Sequence, residues 1–414
     1  MMSKKSPQLR FEGFTDDWEE RKLSDVANHR GGTAIEKYFD KDGVYKVISI
    51  GSYGLNSQYV DQNIRAISNE ITDGRVVNSG ELTMVLNDKT ANGTIIGRSL
   101  LVEKDNEYVI NQRTEIISPK ENFDSNFAYT ILNGPFREKV KRIVQGGTQI
   151  YVNYPAVSNL NLELPKIEEQ KKIGSFFKQL DDTIALHQRK LDLLKEQKKG
   201  FLQKMFPKNG AKVPELRFAG FADDWEEHKL SSGLREYTDR VTVEDDKEYS
   251  QISVRNNFGG ITLRGSKMGN KIGRKRQAKI NLTKYPQTLI FTRQTVEQGG
   301  IGWVDKYCDG AIVTENMPTI SLDTSVFSKY FLTNLFQTRI FYKNAILDNI
   351  EGGSAQIAIH ESKFLSSTLL FPNLDEQEKI GSFFKQLDET IALHQRKLDL
   401  LKEQKKGFLQ KMFV

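Results

Sequence analysis

Residues 173–206 read IGSFFKQLDDTIALHQRKLDLLKEQKKGFLQKMF, and residues 380–413 repeat this stretch with one change, Asp182 against Glu389. A second pair of segments lies at the same offset of 207. Residues 7–23 (PQLRFEGFTDDWEERKL) resemble residues 214–230 (PELRFAGFADDWEEHKL). The 414 residues therefore form two units in tandem, with nearly identical ends. The middles, 24–166 and 231–373, have equal lengths and largely different sequences.

Each repeated stretch is predicted to be one long helix. Its apolar residues recur at steps of four and three, with His187 and Lys198 filling the remaining positions, which makes a heptad stripe of about five heptads. Because proline stops a helix, Pro165 and Pro207 bound the first one, and we predict helices over 167–206 and 374–414. The predicted seam residues are Ile173, Phe177, Leu180, Ile184, Leu191 and Leu194 in the first helix, and Ile380, Phe384, Leu387, Ile391, Leu398 and Leu401 in the second.

Neither stripe is stable in contact with water, so each helix needs a partner. If the two helices pair within one chain, an antiparallel coiled-coil rod puts the two middles at its opposite ends, related by a pseudo-two-fold axis. A coiled coil between two chains is the alternative. His187 and His394 lie on the seam, where a histidine more often sets packing or register than binds a ligand.

Both middles have the sequence pattern of mixed helix and strand, so the predicted fold class is α+β. Paired glycines at 145–150 and 351–357 predict a tight turn in each middle, since no phosphate-binding loop pattern surrounds them. The correspondences indicate that the middles share a fold but differ in surface. The predicted strands are 81–86, 108–117, 287–292 and 311–321, and the predicted helices are 125–144, with an interruption at Gly134-Pro135, and 324–347.

Charge separates the two middles. The first holds 16 Lys and Arg against 17 Asp and Glu, and the second holds 18 against 14. Within the second, residues 249–296 contain ten basic residues and no acidic one. Arginine and amide side chains read base edges, and Lys and Arg neutralise phosphates, so this stretch favours nucleic acid. A solvated basic face, or a docking surface for an acidic protein, is the alternative.

The composition also excludes several classes of protein. A single cysteine, Cys308, allows no internal disulfide and favours a reducing, cytoplasmic setting. No run of residues is long and apolar enough for a membrane span. No metal-ligand cluster, Walker loop or catalytic triad can be argued from the sequence. The pattern is that of a recognition protein rather than an enzyme.

The repeated motifs resemble one family closely, the DNA specificity subunits of type I restriction–modification systems. They are the LRF-x-GF-x-DDWE-x-x-KL openings at 9–23 and 216–230, the EQ-x-KIGSFFKQLD segments starting at Glu169 and Glu376, and the GG[ST]-x-Q elements near Gly146 and Gly352. The resemblance covers essentially the whole chain. It implies opening segments at 1–23 and 207–230, target recognition domains at 24–166 and 231–373, and spacer helices at 167–206 and 374–414.

In that family each recognition domain reads one half of a split double-stranded DNA target. The resemblance further implies that the helices set the gap and dock two methyltransferase subunits, which two motor–nuclease subunits join. S-adenosylmethionine, ATP and Mg²⁺ are then expected in the partners, with no cofactor and no catalytic or metal site in this chain. A non-DNA adaptor that spaces two protein-binding modules, and an enzyme with an unrecognised site, are the alternatives.

The expected DNA contacts follow the polar and basic residues of each domain. Because the first domain is not net basic, a few local residues must carry its DNA face. In the second domain the contacts follow the basic stretch. The expected residues are Lys89, Asn92, Arg98, Gln112, Arg113 and Gln149 in the first domain, and Arg255, Asn256, Asn257, Arg264, Lys267, Lys271, Arg274, Lys275, Arg276, Arg293, Gln294 and Gln356 in the second.

Overall fold

A computed structural model describes residues 6–208, 210–273, 276–350 and 358–413, except for the side chain of Arg276. The chain divides into two compact units. The first comprises Met1–Gln188 and Arg396–Val414, and the second comprises Arg189–Gln395. Each of the two long helices is thus shared, with one part in each unit. None of the described helices is long and apolar enough to cross a membrane.

The first unit contains thirteen described strands and the start of the first long helix. Its strands are β1 (Glu19–Lys22), β2 (Ala27–Gly31), β3 (Tyr45–Ile48), β4 (Arg65–Ala66), β5 (Val76–Val77), β6 (Leu82–Val85), β7 (Asn87–Asp88), β8 (Ser99–Leu101), β9 (Tyr108–Ile110), β10 (Thr114–Pro119), β11 (Gln145–Gly146), β12 (Ile150–Tyr151) and β13 (Asn161–Leu164). Its helices are α1 (Leu23–Val26), α2 (Glu70–Asp73), α3 (Ser125–Asn133), α4 (Pro135–Arg142), α5 (Tyr154–Ser158) and the first part of α6 (Ile167–Lys204).

Two four-stranded sheets organise this unit, in the orders β2-β10-β6-β8 and β4-β3-β9-β5. A small sheet, β11-β12-β7, lies at the end of β6, and β1 pairs with β13. The largest core packs α3 and α4 against the first sheet together with Ile173 and Phe177 from α6 and Phe413 after α10 (Leu374–Lys411). Parts of both long helices therefore belong to the domain core.

The second unit repeats this frame with a larger second sheet. Its sheet orders are β15-β23-β20-β21 and β16-β19-β22-β17-β18, and β14 pairs with β24. Its strands are β14 (Glu226–Lys229), β15 (Leu234–Tyr237), β16 (Asp239–Thr242), β17 (Glu248–Val254), β18 (Ile261–Met268), β19 (Arg276–Lys279), β20 (Thr288–Phe291), β21 (Ile301–Trp303), β22 (Ile312–Val313), β23 (Thr319–Leu322) and β24 (Thr368–Phe371). Its helices are α7 (Lys329–Leu335), α8 (Arg339–Phe341), α9 (Glu361–Ser366), the last part of α6 and the first part of α10.

Three of the predicted elements are broken in the structure. The predicted strand 108–117 is two strands in different sheets, β9 and β10, separated by Asn111–Arg113. Arg113 has a φ of 65°, a left-handed turn that redirects the chain and that β-branched periodicity does not reveal. The predicted strand 311–321 breaks in the same way into β22 and β23. The predicted helix 324–347 is α7, α8 and a π-helical turn.

The long helices match the heptad stripe closely. They end at Lys204 and Lys411, a little before the predicted ends, with acidic residues in the first turn and a lysine in the last, as the helix dipole favours. Eight of the predicted seam residues are buried: Ile173, Phe177, Leu191, Leu194, Ile380, Phe384, Leu398 and Leu401. The other four are half-buried: Leu180, Ile184, Leu387 and Ile391.

Contacts between the long helices occur within each unit. In the first unit, the rings of Phe176 and Phe408 are 5.0 Å apart, and Lys405 Nζ lies 2.5 Å from Asp181 Oδ1. In the second unit, Phe201 and Phe383 are 5.0 Å apart, and Lys198 Nζ lies 2.7 Å from Asp388 Oδ1. Within each unit, rising numbers in α6 face falling numbers in α10, so the contacts have antiparallel order.

A glutamate–glutamine pair at the start of each long helix joins it to its surroundings. Glu169 accepts two 2.7 Å hydrogen bonds from Arg10 of the opening segment. Gln170, which is buried, donates to Asn122 O and Pro165 O and accepts from the Asp124 amide just before α3.

The second unit repeats this junction. Glu376 accepts two 2.7 Å hydrogen bonds from Arg217. Gln377 donates to Pro372 O and to Val326 O, and it accepts from the Ser328 amide just before α7. The repeated EQ sequence therefore holds the opening segment with one side chain and the domain with the next.

The opening segments also contact the ends of the long helices. The Leu9 amide donates to Lys411 O, and the Leu216 amide donates to Lys204 O, both at 2.8 Å. These bonds satisfy carbonyl groups that a helix end otherwise leaves unpaired. Close backbone contact explains one repeated glycine, because a Cβ at Gly174 would lie 2.5 Å from the Phe127 amide nitrogen.

We predict that Arg217→Met lowers the free energy of unfolding by about 3–5 kcal/mol, because it leaves the fully buried Glu376 carboxylate without its charged partner. Adding Glu376→Gln to this variant should recover part of the loss. Arg21→Met is the control, since Arg21 and Glu19 are both more than half exposed, and it should cost less than about 1 kcal/mol. Urea unfolding measures all three, and equal losses for Arg217→Met and Arg21→Met would contradict the assigned role.

Candidate nucleic-acid interface

A polar cleft in the first unit brings together four of the six residues predicted for that domain. Lys89, Gln112, Arg113 and Gln149 line it, beside Asn87 and Glu36. The cleft lies where the break between β9 and β10 meets β7 and the β11–β12 turn. Since these four side chains are exposed and carry donors and acceptors, the cleft presents hydrogen-bonding groups suited to base edges and phosphates.

Hydrogen bonds within the cleft fix several of its side chains. Glu36 accepts from Asn111 Nδ2 at 3.0 Å and from Gln112 Nε2 at 2.9 Å. The bond from Asn111 is the main reason that the pKa of Glu36 lies below its usual value, so this carboxylate is charged at neutral pH. With the Asn87 amide oriented to donate to Leu86 O, its oxygen accepts from Arg113 Nη1 at 3.0 Å. Neither Glu36 nor Asn111 was among the predicted contacts, since neither lies in a basic or repeated motif.

The other two predicted residues of the first domain lie outside this cleft. Asn92 is exposed in the loop that follows β7. Arg98 is half-buried and donates to Thr94 O at 2.8 Å and to Ser57 Oγ at 2.9 Å. Burial lowers the pKa of Arg98. Its guanidinium therefore holds together two loops of the domain, and we do not include it in the interface.

The GG[ST]-x-Q element of the first domain is the tight turn that the paired glycines predict. β11 and β12 flank it, and β12 pairs with β7, so Ile150 faces Asp88. Gly146 has a φ of 100°, and a Cβ there would lie 2.2 Å from Gln149 O. The turn thus sets the position of Gln149 at the edge of the cleft. The corresponding element at 351–357, with Gln356, lies outside the described residues.

The second unit has a cleft beside the corresponding strand break in its frame, the one between β22 and β23. The Ile359 amide donates to Arg293 O as the Val152 amide donates to Leu86 O, so Arg293 occupies the position of Leu86, and Gln294 that of Asn87. Arg293 lines this cleft with Arg240 and Glu236, while Gln294 is exposed outside its lining. Arg293 Nη2 lies 2.5 Å from Glu361 Oε2. Burial, with Glu361 nearby, raises the pKa of Glu236.

Both domains that contain these clefts match one family of known proteins. The family model described as "Type I restriction modification DNA specificity domain" matches residues 15–196 and 239–403. The chain belongs to this family. The two matches also make it a protein of two repeated specificity domains.

Relatives extend the similarity along the whole chain. The specificity subunit of the type I restriction enzyme MjaVIII from Methanocaldococcus jannaschii is 21% identical in an alignment that covers 95% of this chain and 91% of that protein. The S subunit of a type I restriction–modification system from M. genitalium has a TM-score of 0.65 at 12% identity, with 99% of both chains covered. A second solved chain comes from a structure that describes complex assembly and conformational transition of the type I R-M system. It has a TM-score of 0.51 at 16% identity, and the match covers 96% of this chain and 97% of that chain.

The two structural likenesses show a shared fold of mixed helices and strands. Together with the family match, the relatives confirm the prediction that this chain is a specificity subunit, which recognises DNA and is not the enzyme of its system. The residues that contact DNA remain a prediction. The structure shows where the predicted contact residues of the second specificity domain lie.

The described basic residues between 255 and 271 of the second specificity domain are spread along the β17–β18 hairpin. Arg255, Asn256 and Asn257 lie at the turn between β17 and β18, where Asn256 Nδ2 donates to Gln298 Oε1 at 2.7 Å. Lys267 and Lys271 lie at the opposite end of this hairpin, about 23 Å away at the usual rise of a strand. Arg264 is exposed between them, beside a register shift in the hairpin.

Acidic residues lie beside the far end of this hairpin. The Asn270 amide donates to Asp245 O at 3.2 Å, and the Gly269 amide donates to Lys247 O at 2.8 Å. The turn 244–248, with Glu244, Asp245, Asp246 and Glu248, therefore packs against the residues just before Lys271. The count of charged residues over 249–296 does not include these carboxylates, because they precede residue 249. Arg274, Lys275 and the side chain of Arg276 lie outside the described residues.

We predict that Gly146→Ala weakens binding of the specificity subunit to its DNA target about tenfold or more, the usual effect of losing one good base contact. Its Cβ would displace the Gln149 backbone, and an L-residue at this φ is strained. Gly147→Ala is the matched control, since a Cβ there meets no atom within 4 Å, and it should bind within about threefold of the unaltered protein. Electrophoretic mobility shift, with thermal melting to check folding, measures both variants. A Gly146→Ala protein that binds as the control does would refute the assigned role of the turn.

Proposed function

We propose that each specificity domain of this chain reads one half of a bipartite double-stranded DNA target. The observation that carries this proposal is that two equivalent frames each have a polar cleft beside the corresponding strand break, between β9 and β10 or between β22 and β23, and line it with different residues. Lys89, Gln112, Arg113 and Gln149 line one cleft, and Arg240 and Arg293 line the other. Identical frames with different linings suit one kind of recognition applied to two sequences.

We assign base contacts first to the cleft residues and to the exposed side chains beside them. In the first domain these include Asn92, and in the second they include Gln294. Lys and Arg contacts to phosphate position the protein, whereas amide and guanidinium groups distinguish bases in the major groove. Arg255, Asn256, Asn257, Arg264, Lys267 and Lys271 are proposed as further contacts along the β17–β18 hairpin.

The long helices are proposed to form one antiparallel rod that sets the unread gap between the half-sites. The support is the antiparallel order of the α6–α10 contacts, which each unit has separately. A helix has a fixed rise per residue, so the lengths of α6 and α10 fix a distance that can be matched to DNA. The half-sites would then be related by the same approximate two-fold axis as the repeats.

Leucines on the outer faces of these helices are proposed to dock the methyltransferase subunits. Leu186 and Leu400 are 61% and 51% exposed in the first unit, and Leu193 and Leu393 are 52% and 60% exposed in the second. The repeat relates Leu186 to Leu393 and Leu193 to Leu400, so each unit offers two such leucines and two methyltransferases fit one chain. Clusters of exposed apolar side chains commonly mark a protein interface.

Catalysis is assigned to the partners in this proposal. S-adenosylmethionine would be held by the two methyltransferase subunits, and ATP and Mg²⁺ by two motor–nuclease subunits that join them in the cytoplasm. The specificity subunit contributes DNA sequence recognition and the spacing of its partners, and its own residues need no cofactor for either.

Exchange of one domain tests the proposed function. Replacing 231–373 with the corresponding domain of a relative should change one half of the methylated DNA motif and leave the other half intact, because the frame is unchanged. The reciprocal exchange of 24–166 should change only the other half. Sequencing methylated adenines in a host that carries each chimera gives the motif. Chimeras that assemble and methylate, but whose two half-sites change together, would contradict independent reading.

We predict that Leu193→Ser with Leu393→Ser reduces the complex from two methyltransferase subunits to one, and that all four leucine changes remove both. Each serine takes away an apolar contact without altering the buried seam. Leu55→Ser is the control, because Leu55 is 70% exposed but lies outside the helices. Native mass spectrometry of the purified complex counts the subunits. An unchanged count in the fourfold variant would rule out docking through these leucines.

A further inference from the structure

A loop beside the cleft of the first domain is held by two buried side chains, one acidic and one basic. The loop, residues 89–96, follows β7 and precedes β8. The carboxylate of Asp88, only 3% exposed, accepts hydrogen bonds from Thr90 N at 2.9 Å, Thr90 Oγ1 at 2.9 Å and Ile95 N at 2.8 Å. One aspartate thus holds both ends of the loop by their N–H groups.

A buried arginine holds the carbonyl groups of the same loop. Arg137 of α4 is 9% exposed. Its Nε donates to Ile96 O at 2.9 Å, and its Nη2 donates to Gly93 O and to Thr94 O, both at 2.8 Å. All three of these acceptors are backbone carbonyl oxygens. Its charge is satisfied by backbone carbonyls.

These two side chains make the loop rigid. A buried charge is stable only where hydrogen bonds replace its hydration, so any other loop conformation leaves Asp88 or Arg137 unsatisfied. Burial by itself raises the pKa of Asp88, but the hydrogen bonds from the Ile95 and Thr90 amides outweigh that effect and lower it. The carboxylate is therefore ionised at neutral pH, and its charged form accepts the hydrogen bonds that hold the loop.

The rigid loop presents an exposed polar surface next to the GG[ST]-x-Q turn. Lys89, Thr90 and Asn92 are exposed on it. Because β7 pairs with β12, the start of the loop lies alongside the turn that carries Gln149. Lys89 and the side-chain amides of Asn92 and Gln149 are of the types that contact phosphates and base edges. Their relative positions, and hence the bases they fit, depend on the conformation that Asp88 and Arg137 impose.

The described residues of the second domain do not repeat this arrangement. Thr295 stands at the position of Asp88, and its hydroxyl is 2.8 Å from that of Thr292. The connection from β20 to β21, residues 292–300, is also shorter than the connection from β6 to β8, residues 86–98. Among the described residues, the clamped loop thus belongs to the first domain, whose acidic and basic residues nearly balance.

We propose that the 89–96 loop is a sequence-reading element of the first domain, and that Asp88 and Arg137 are positioning residues that set the specificity for its half-site. This inference rests on the proposed function. It deepens that function by locating specificity in two buried side chains that do not touch DNA, since a preorganised reading surface discriminates between bases better than a mobile one.

The test uses the full complex with its methyltransferase subunits and a panel of DNA duplexes, each with one base pair changed in one half-site. Asp88→Asn and Arg137→Met should lose tenfold or more of the discrimination at one or more positions of the first half-site, with the second half-site read as before. Arg137→Lys should lose less, because it retains a charge and a donor. Lys139→Met is the matched control, since Lys139 lies on the same helix but bonds to Asn161 and Glu163, and it should change nothing.

Asn92→Ala, an exposed change that leaves the clamp intact, should relax positions within the set affected by Asp88→Asn. It keeps the inference testable if the buried variants fold poorly. Binding that falls equally for every duplex, or relaxation of both half-sites, would overturn the inference and leave Asp88 and Arg137 as structural residues only. The unaltered complex distinguishes failure of this inference from failure of the proposed function. If the first domain did not read DNA, the unaltered complex would show no discrimination at any position of the first half-site.

Discussion

The glutamate–glutamine pair at the start of each long helix is the junction on which the rest of the molecule depends. Glu169 and Glu376 are buried carboxylates that face arginines of the opening segments. The glutamines that follow them bond to the backbone where α3 and α7 begin. Since a buried carboxylate without its arginine is strongly unfavourable, the opening segment, helix and domain are fixed together.

This junction explains why the frame can stay constant while the recognition surface changes. Every group that it uses is either in the repeated segments or on the backbone of the domain. Side chains of the clefts, such as Arg113 or Arg293, take no part in it. A domain with new surface residues can therefore occupy the same frame without new interactions to hold it, as the paired but differently lined clefts of the two units illustrate.

Much of this frame could be predicted from the sequence because it depends on regular patterns. Heptad spacing predicts the long helices and the burial of their seam, and proline predicts their limits. The repeat at a constant offset predicts two equivalent domains. These signals are local, and each residue in them acts through the period of the helix or strand that contains it.

The parts that could not be predicted depend on contacts between distant residues. The strand predicted over 108–117 breaks at Arg113 because its two halves join different sheets. The acidic turn at 244–248 reaches the basic stretch only through the β17–β18 hairpin. Arg98 has the charge expected of a DNA contact, yet it bonds to other loops of its own domain. Asp88 and Arg137 carry no motif, and their role follows from burial and from the backbone groups that they satisfy.

Independence of the frame and the reading surface is tested most directly by a chain that carries the first domain in both frames. In this chain, residues 24–166 would also replace residues 231–373, and the methylated DNA motif would be sequenced in a host that supplies the methyltransferase. We predict a motif in which the first half-site occurs twice, on either side of the original gap. A folded and assembled complex that methylates a motif with two unlike halves would contradict it.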